Sequence, residues 1–287
     1  MAFSRTLYWL ALAILPLSVW AGKVDQCHRL HDDARYREAM VCYMQPDIIT
    51  HPVVMNIIGY MYSTGQGVPA DPEEALRWYH RSAEAGFAAA QFNIGILYEQ
   101  GRGVPQDASE AAKWFTKAAE QQYPNAEEKM GYFYASGTGV RQDYREAMKW
   151  FRRAVEHGNI TACASIGILY DKGNGVPIDH NRAVQYYIMG AMAGHAHAQA
   201  LLAVNYLVGD GVPKDKRRAA YWFEQAANNG YPIAMQQMVK IYTYGRYGYD
   251  RDPEKAAYWQ NRYNQTIDKQ RKNGSHTAEP PLPLPND

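Results

Sequence analysis

The sequence predicts an all-α fold, a superhelical α/α solenoid of stacked helix pairs. Three observations carry this. A glycine opens a similar loop at Gly65, Gly101, Gly137, Gly173, Gly209 and Gly245, a constant step of 36 residues (101 − 65). Further columns keep that step: Tyr62, Tyr98, Tyr134, Tyr170, Tyr206 and Tyr242, and Ala75, Ala111, Ala147, Ala183 and Ala219. Within one period, Ala90, Ile94, Leu97 and Tyr98 recur at helical spacing. One pair of amphipathic helices cannot bury both its faces, whereas stacked pairs can.

Residues 1–21 read as a secretory leader. Arg5 supplies the positive end, Leu7 to Trp20 is apolar apart from Ser18, and Val19-Trp20-Ala21 suits a cleavage site. The apolar run is short for a membrane span; an uncleaved anchor is the alternative. The mature chain is expected to start near Gly22, in the periplasm, touching membrane only through the leader before cleavage. Export makes a disulfide sustainable.

Residues 22–51 read as an N-terminal helical cap, a degenerate half-repeat in which Ala39 and Tyr43 fall one period ahead of Ala75 and Tyr79. Cys27 and Cys42 are either a bridge pinning this cap or two buried thiols. Cys163 stands where other repeats have Gln, Glu or Met, and reads as a small packed residue.

Residues 52–267 form six repeats. Gly59, Gly95, Gly131 and Gly167 lie inside the first helices, where glycine costs about 1 kcal/mol against alanine. Their recurrence predicts a neighbour too close for a side chain. Gly65 and Gly101 end first helices, as glycine takes the left-handed cap freely. Asp71, Asp107, Asp143, Asp179 and Asp215 are expected to cap the second helices. Glu74, Glu110 and Glu146 would complete capping boxes with the first three. Residues 268–287 are polar and proline-rich, which predicts a disordered tail.

These columns resemble the Sel-1-like repeat family, a branch of the tetratricopeptide-like solenoids. In the second repeat Ala90, Gly95, Tyr98, Gly101, Gly103, Val104, Pro105, Asp107, Ala111, Trp114, Phe115 and Ala118 carry the pattern. The resemblance implies a right-handed superhelix whose first helices line the inner face. The sixth loop has lost its Val-Pro, and Ala203 and Val239 replace the helical glycine, which suggests different packing or an edge at the C-terminal end.

The chain has 287 residues, 47% apolar and 21% charged, with 30 basic against 29 acidic residues. That near-neutral balance lacks the footprint of a nucleic-acid binder. The Gly-x-Gly loops join helix to helix and precede an aspartate, so they do not cradle phosphate. His195 and His197 are two apart and do not share a helical face, so they read as a surface pair and not as metal ligands. No nucleophile and base can be paired. No catalytic residue, metal or cofactor is therefore expected. The sequons at Asn159 and Asn264 lie in or beside helices and are discounted.

What remains is a surface. Between the core columns lie Asn56, Phe92, Glu128, Ala164, Ala200 and Gln236, and Tyr60, Ile96, Tyr132, Ile168, Val204 and Lys240. Tyr60, Phe92, Glu99, Glu128, Tyr132, Asp171 and Lys172 are the candidate partner-binding residues, with partly buried packing as the alternative. The expectation is a non-catalytic periplasmic scaffold that binds another protein. The resemblance narrows it to an immunity protein neutralising a type VI secretion phospholipase, so that the partner would be a secreted lipase effector or an envelope protein. The alternatives are an envelope-assembly, motility or host-factor adaptor, a secreted eukaryotic protein, or a cell-wall or penicillin-interacting enzyme.

Overall fold

Residues 17–272 are described by the structure, a computed structural model, and they form fourteen helices and no strand. They cluster into two compact units that meet in sequence at Gln121 and Gln122. The first holds α1 (Leu17–Asp32), α2 (Tyr36–Tyr43), α3 (Pro52–Thr64), α4 (Pro72–Glu84), α5 (Ala88–Gln100) and α6 (Ala108–Glu120). The second holds α7 (Pro124–Ser136), α8 (Tyr144–Glu156), α9 (Ala162–Lys172), α10 (His180–Met192), α11 (Ala196–Val208), α12 (Lys216–Asn228), α13 (Pro232–Tyr244) and α14 (Pro253–Lys272). In each unit the two helices of a repeat pack together, and the second also touches the first helix of the next repeat.

The helix ends follow from the loop residues. Gly65 and Gly101 take φ of 75° and 66°, and their N–H groups close on Met61 and Leu97 carbonyls. Asp71, Asp107, Asp143, Asp179 and Asp215 each accept a hydrogen bond from an N–H of the following first turn. The capping boxes form only half. The N–H of Asp71, which Glu74 would have accepted, donates at 2.9 Å to the carbonyl of Tyr62. The same bond runs from Asp107 to Tyr98, Asp143 to Tyr134, Asp179 to Tyr170, Asp215 to Tyr206 and Asp252 to Tyr242. The freed glutamates pair along their own helix instead, Glu74 with Arg77, Glu110 with Lys113 and Glu146 with Lys149.

The helical glycines leave room for a ring. A β-carbon on Gly59 would sit 2.7 Å from the Tyr79 ring, and one on Gly95 2.6 Å from Phe115; Phe151 and Tyr187 crowd Gly131 and Gly167 alike. In the sixth repeat the ring position is the exposed Gln260, which fits the presence of Val239. The second loop glycine touches backbone: a β-carbon on Gly103 would lie 2.7 Å from the Pro72 carbonyl carbon, and one on Gly175 2.8 Å from that of Tyr144. Gly67 and Gly211 press likewise on the backbone of Tyr36 and His180.

Cys27 and Cys42 are bridged with Cα atoms 5.5 Å apart, tying α1 to α2. Ala39 and Tyr43 are fully buried beneath them. Cys163 is buried, and burial pushes its thiol up to about 11. The expected leader lies largely outside the described residues, although α1 already begins at Leu17 and runs through Gly22. At the other end α14 continues to Lys272, five residues into the segment expected as tail. Lys269, Arg271 and Lys272 favour the C-terminal end of its dipole. Residues 273–287 lie outside the described part.

Candidate functional site

In the first unit, Tyr60 is 44% exposed, Phe92 is half-buried with its ring 5.5 Å from that of Phe115, and Glu99 is half-buried. The remaining candidates fall in the second unit. Tyr132 is 46% exposed but fixed: its ring meets Phe151 edge-on at 5.1 Å and its oxygen accepts from Ser165 Oγ at 3.0 Å. Glu128 accepts from Thr161 Oγ1 at 2.6 Å and from Asn159 Nδ2 at 3.0 Å. That bond engages the Asn159 amide of the sequon. Asn159 Oδ1 also takes the N–H of Thr161, so α9 starts at Ala162, two residues later than its counterparts.

The two variable columns stay exposed in this unit at Tyr132, Gln236 and Lys240 but not on α9 and α11. Ala164, Ala200 and Val204 are buried, because their small side chains let α9 and α11 touch directly. What opens between these helices is a groove of about 390 Å³. Its apolar walls are Ile168, Leu201, Val204 and Val208, and its polar lining is Asp171, Lys172, His180, Tyr187, His197, Asn205 and Asp210.

Asp171 and Lys172 thus come together. Asp171 accepts from the Tyr187 hydroxyl at 2.7 Å and from His180 Nδ1 at 3.0 Å. Tyr187 is fully buried, and burial with the adjacent carboxylate pushes its phenol up. The bond to Asp171 raises the His180 imidazole above its usual range. His195 and His197 are not a surface pair. Both are half-buried, His197 stacks on Tyr231 with ring centres 5.6 Å apart, and His195 Nδ1 is buried without a hydrogen-bond partner among the described residues. Burial, followed by the His195 charge, lowers His197 to about 4, so it is a neutral ring at ordinary pH. The described residues hold no group of three or more His, Cys, Asp or Glu arranged for a metal ion.

Tyr187, His197 and Asn205 were missed by the sequence reading. Asn205 had a signal: its column is Met61, Leu97, Phe133, Leu169 and Ile241, so one amide interrupts five apolar residues. Tyr187 had another. The ring column carries a hydroxyl at Tyr79 and Tyr187, and the partner 16 residues earlier (187 − 171) is then Ser63 or Asp171.

A second polar feature braces the repeats from within. Gln121 Nε2 donates to Gln91 Oε1 at 2.8 Å, His157 Nδ1 to Glu127 Oε2 at 2.7 Å, and Asn229 Nδ2 to Gln199 Oε1 at 2.9 Å. Each links a first helix to the residue that ends the second helix of its repeat. The matching pairs in the first and fourth repeats are apolar, Met55 with Ala85 and Cys163 with Ala193, and in the sixth Thr266 Oγ1 donates to Met235 Sδ at 3.8 Å. Glu127 is 0% exposed, and its other oxygen lies 3.0 Å from the Arg153 guanidinium.

The family model described as the Sel1 repeat matches residues 52–87, 88–123, 124–159, 160–195, 196–231 and 234–259. Among solved structures, the chain is similar to a Sel1 repeat protein from Oxalobacter formigenes, with 48% identity, a TM-score of 0.81, and coverage of 84% of this chain and 99% of that one. It is also similar to a protective antigen of uropathogenic Escherichia coli with an SLR fold, at 30% identity and a TM-score of 0.72 over 88% of this chain and 55% of that longer one. An immunity protein of Pseudomonas aeruginosa shares the fold at 19% identity and a TM-score of 0.53, over 91% of this chain and 89% of that one. No curated protein matches the chain.

Proposed function

Since this chain belongs to the Sel1 repeat family, we propose that it is an exported, non-catalytic scaffold that captures another protein on the α9–α11 face of its second unit. Sel1 repeats typically mediate protein–protein binding, and the chain is a protein-interaction scaffold at that level. The observation that carries the location is the groove between α9 and α11, where a fixed carboxylate and a buried amide stand between apolar walls. Rigid, partly exposed side chains around such a recess are good anchors for a partner. Tyr132, on the same unit, offers a further fixed ring.

The narrower reading is an immunity protein that blocks a phospholipase effector of a type VI secretion system in the periplasm. The family resemblance supports it, and Pseudomonas aeruginosa immunity proteins share the fold. Affinity capture from a periplasmic extract, followed by mass spectrometry, tests the scaffold. The expected result is a partner whose capture weakens with Val208→Arg, which puts a bulky cation on the exposed rim of the groove. Co-expression with a periplasmic phospholipase effector tests the immunity role through rescue of growth. Tight binding without rescue would leave an envelope scaffold, and turnover of a peptidoglycan or β-lactam substrate would overturn the non-catalytic reading.

A further inference from the structure

The polar lining of the α9–α11 groove is unbalanced towards acceptors. Asn205 is 5% exposed, and one of its two Nδ2 hydrogens bonds the Leu201 carbonyl at 3.0 Å, which fixes the amide and leaves Oδ1 as its acceptor. Asp171 is held in place by the buried Tyr187 hydroxyl, so its carboxylate is pre-oriented. Asp210 adds a second carboxylate in the loop after α11. Among the donors, Lys172 is exposed on a flexible stem that can keep its ammonium in water. The walls beside these acceptors are aliphatic: Ile168, Leu201, Val204 and Val208.

A guest that satisfies all of this has a long apolar stem and ends in a cation with several N–H donors. We propose that the groove takes a lysine or arginine side chain of the partner protein, its stem along the aliphatic wall and its cation between Asp171 and Asn205 Oδ1. This inference rests on the α9–α11 face being the protein-binding surface, and names the chemistry of the anchor. An acidic guest would face Asp171 and Asp210 and leave Asn205 Oδ1 unsatisfied, which is how the groove rejects the wrong partner.

One neighbour competes. His180 already donates to Asp171, and Asp171, Asp210 and Asp179 all favour its charged form. The groups around the carboxylate are therefore Lys172 on its own helix, His180 on α10, and Asp210 beyond α11, with His197 of α11 neutral. Protonated His180 occupies the carboxylate that an incoming cation needs. Binding of a basic side chain should therefore tighten as pH rises through the raised His180 value, a dependence that an apolar docking groove would not show.

The test uses the full chain, isotope-labelled, titrated with the N-acetyl amides of arginine, lysine, norleucine and glutamate. NMR follows the Asn205 side-chain amide and the methyls of Ile168, Leu201 and Val204. The arginine or lysine probe should shift these signals with a dissociation constant at least about five-fold below those of norleucine and glutamate, and Asp171→Asn should erase that preference. Affinity should rise between about pH 6 and about pH 8, and His180→Asn should flatten the rise. Equal or tighter binding of norleucine or glutamate, an unchanged preference in Asp171→Asn, or no shift at Asn205 with either basic probe overturns the proposal. Capture experiments separate this from the scaffold reading. If Asp171→Asn still retains the partner as wild type does, the basic anchor fails and the scaffold stands. If the arginine probe binds but no protein is retained, the groove's preference for a basic side chain stands, while the scaffold reading fails and with it a protein partner as the source of that side chain.

Discussion

Removing His157 alone should cost more than removing His157 and Glu127 together. Glu127 is 0% exposed, and its partners are His157 Nδ1 at 2.7 Å and the Arg153 guanidinium at 3.0 Å. His157→Ala leaves a buried carboxylate with one ionic partner. A hydrogen bond to a charged group contributes about 1.5–3 kcal/mol, and breaking a fully buried pair costs about 3–5. His157 is 27% exposed, which lowers the expectation to about 2–3 kcal/mol. Glu127→Met removes the buried charge and frees two half-exposed bases to hydrate, at about 1 kcal/mol. The double variant recreates the apolar pair that Met55 and Ala85 already form in the first repeat, and should lie within about 1 kcal/mol of wild type. The coupling energy is then at least about 1.5 kcal/mol. Urea midpoints by circular dichroism and tryptophan fluorescence measure it, with hydrogen exchange of the α7 and α8 amides because repeat arrays can unfold in parts. If the double variant loses the sum of the single losses to within about 0.5 kcal/mol, the ion-pair reasoning is refuted.

Three further outcomes are expected. Reducing the Cys27–Cys42 bridge, which closes a separation of 15 residues, should lower stability by about 3 kcal/mol, read as an earlier unfolding midpoint in dithiothreitol. Asp107→Ala should cost about 1 kcal/mol through loss of the two first-turn N–H bonds, again read from the denaturation midpoint. Because the folded value of His197 lies near 4, below the usual 6.5, the unfolded chain binds the proton more readily. Its contribution is present above about pH 6.5 and is lost as pH falls towards 4; a His197→Phe variant should show a shallower decline in melting temperature over that window.

The repeat architecture was legible because each column answers a steric demand that recurs. The ring beside Gly95 and the αL turn at Gly101 arise from one geometry copied along the chain, so a single sequence displays it several times. Site residues give no such redundancy. Asp171 and Lys172 were found at a helix end, but the groove joining them to Asn205 and His197 depends on how closely α9 and α11 approach. That approach follows from Ala164 and Ala200, which alone could be read as surface. The histidine pair misled for a related reason: two residues apart means different faces, yet His197 packs on Tyr231, the last residue of its own repeat, just before α13. The capping boxes failed through a competitor invisible in the motif itself, the tyrosine carbonyl nine residues earlier (71 − 62).

The loop glycines at Gly67, Gly103, Gly175 and Gly211 press on the backbone where the preceding second helix begins, at Tyr36, Pro72, Tyr144 and His180. Four different side chains stand at that spot, so the contact is indifferent to them. A joint written in main-chain atoms lets any repeat follow any other. Duplication or loss of a 36-residue block (101 − 65) by unequal recombination would therefore preserve every seam of this kind. The array can lengthen or shorten between lineages while the grooves it displays are rewritten separately.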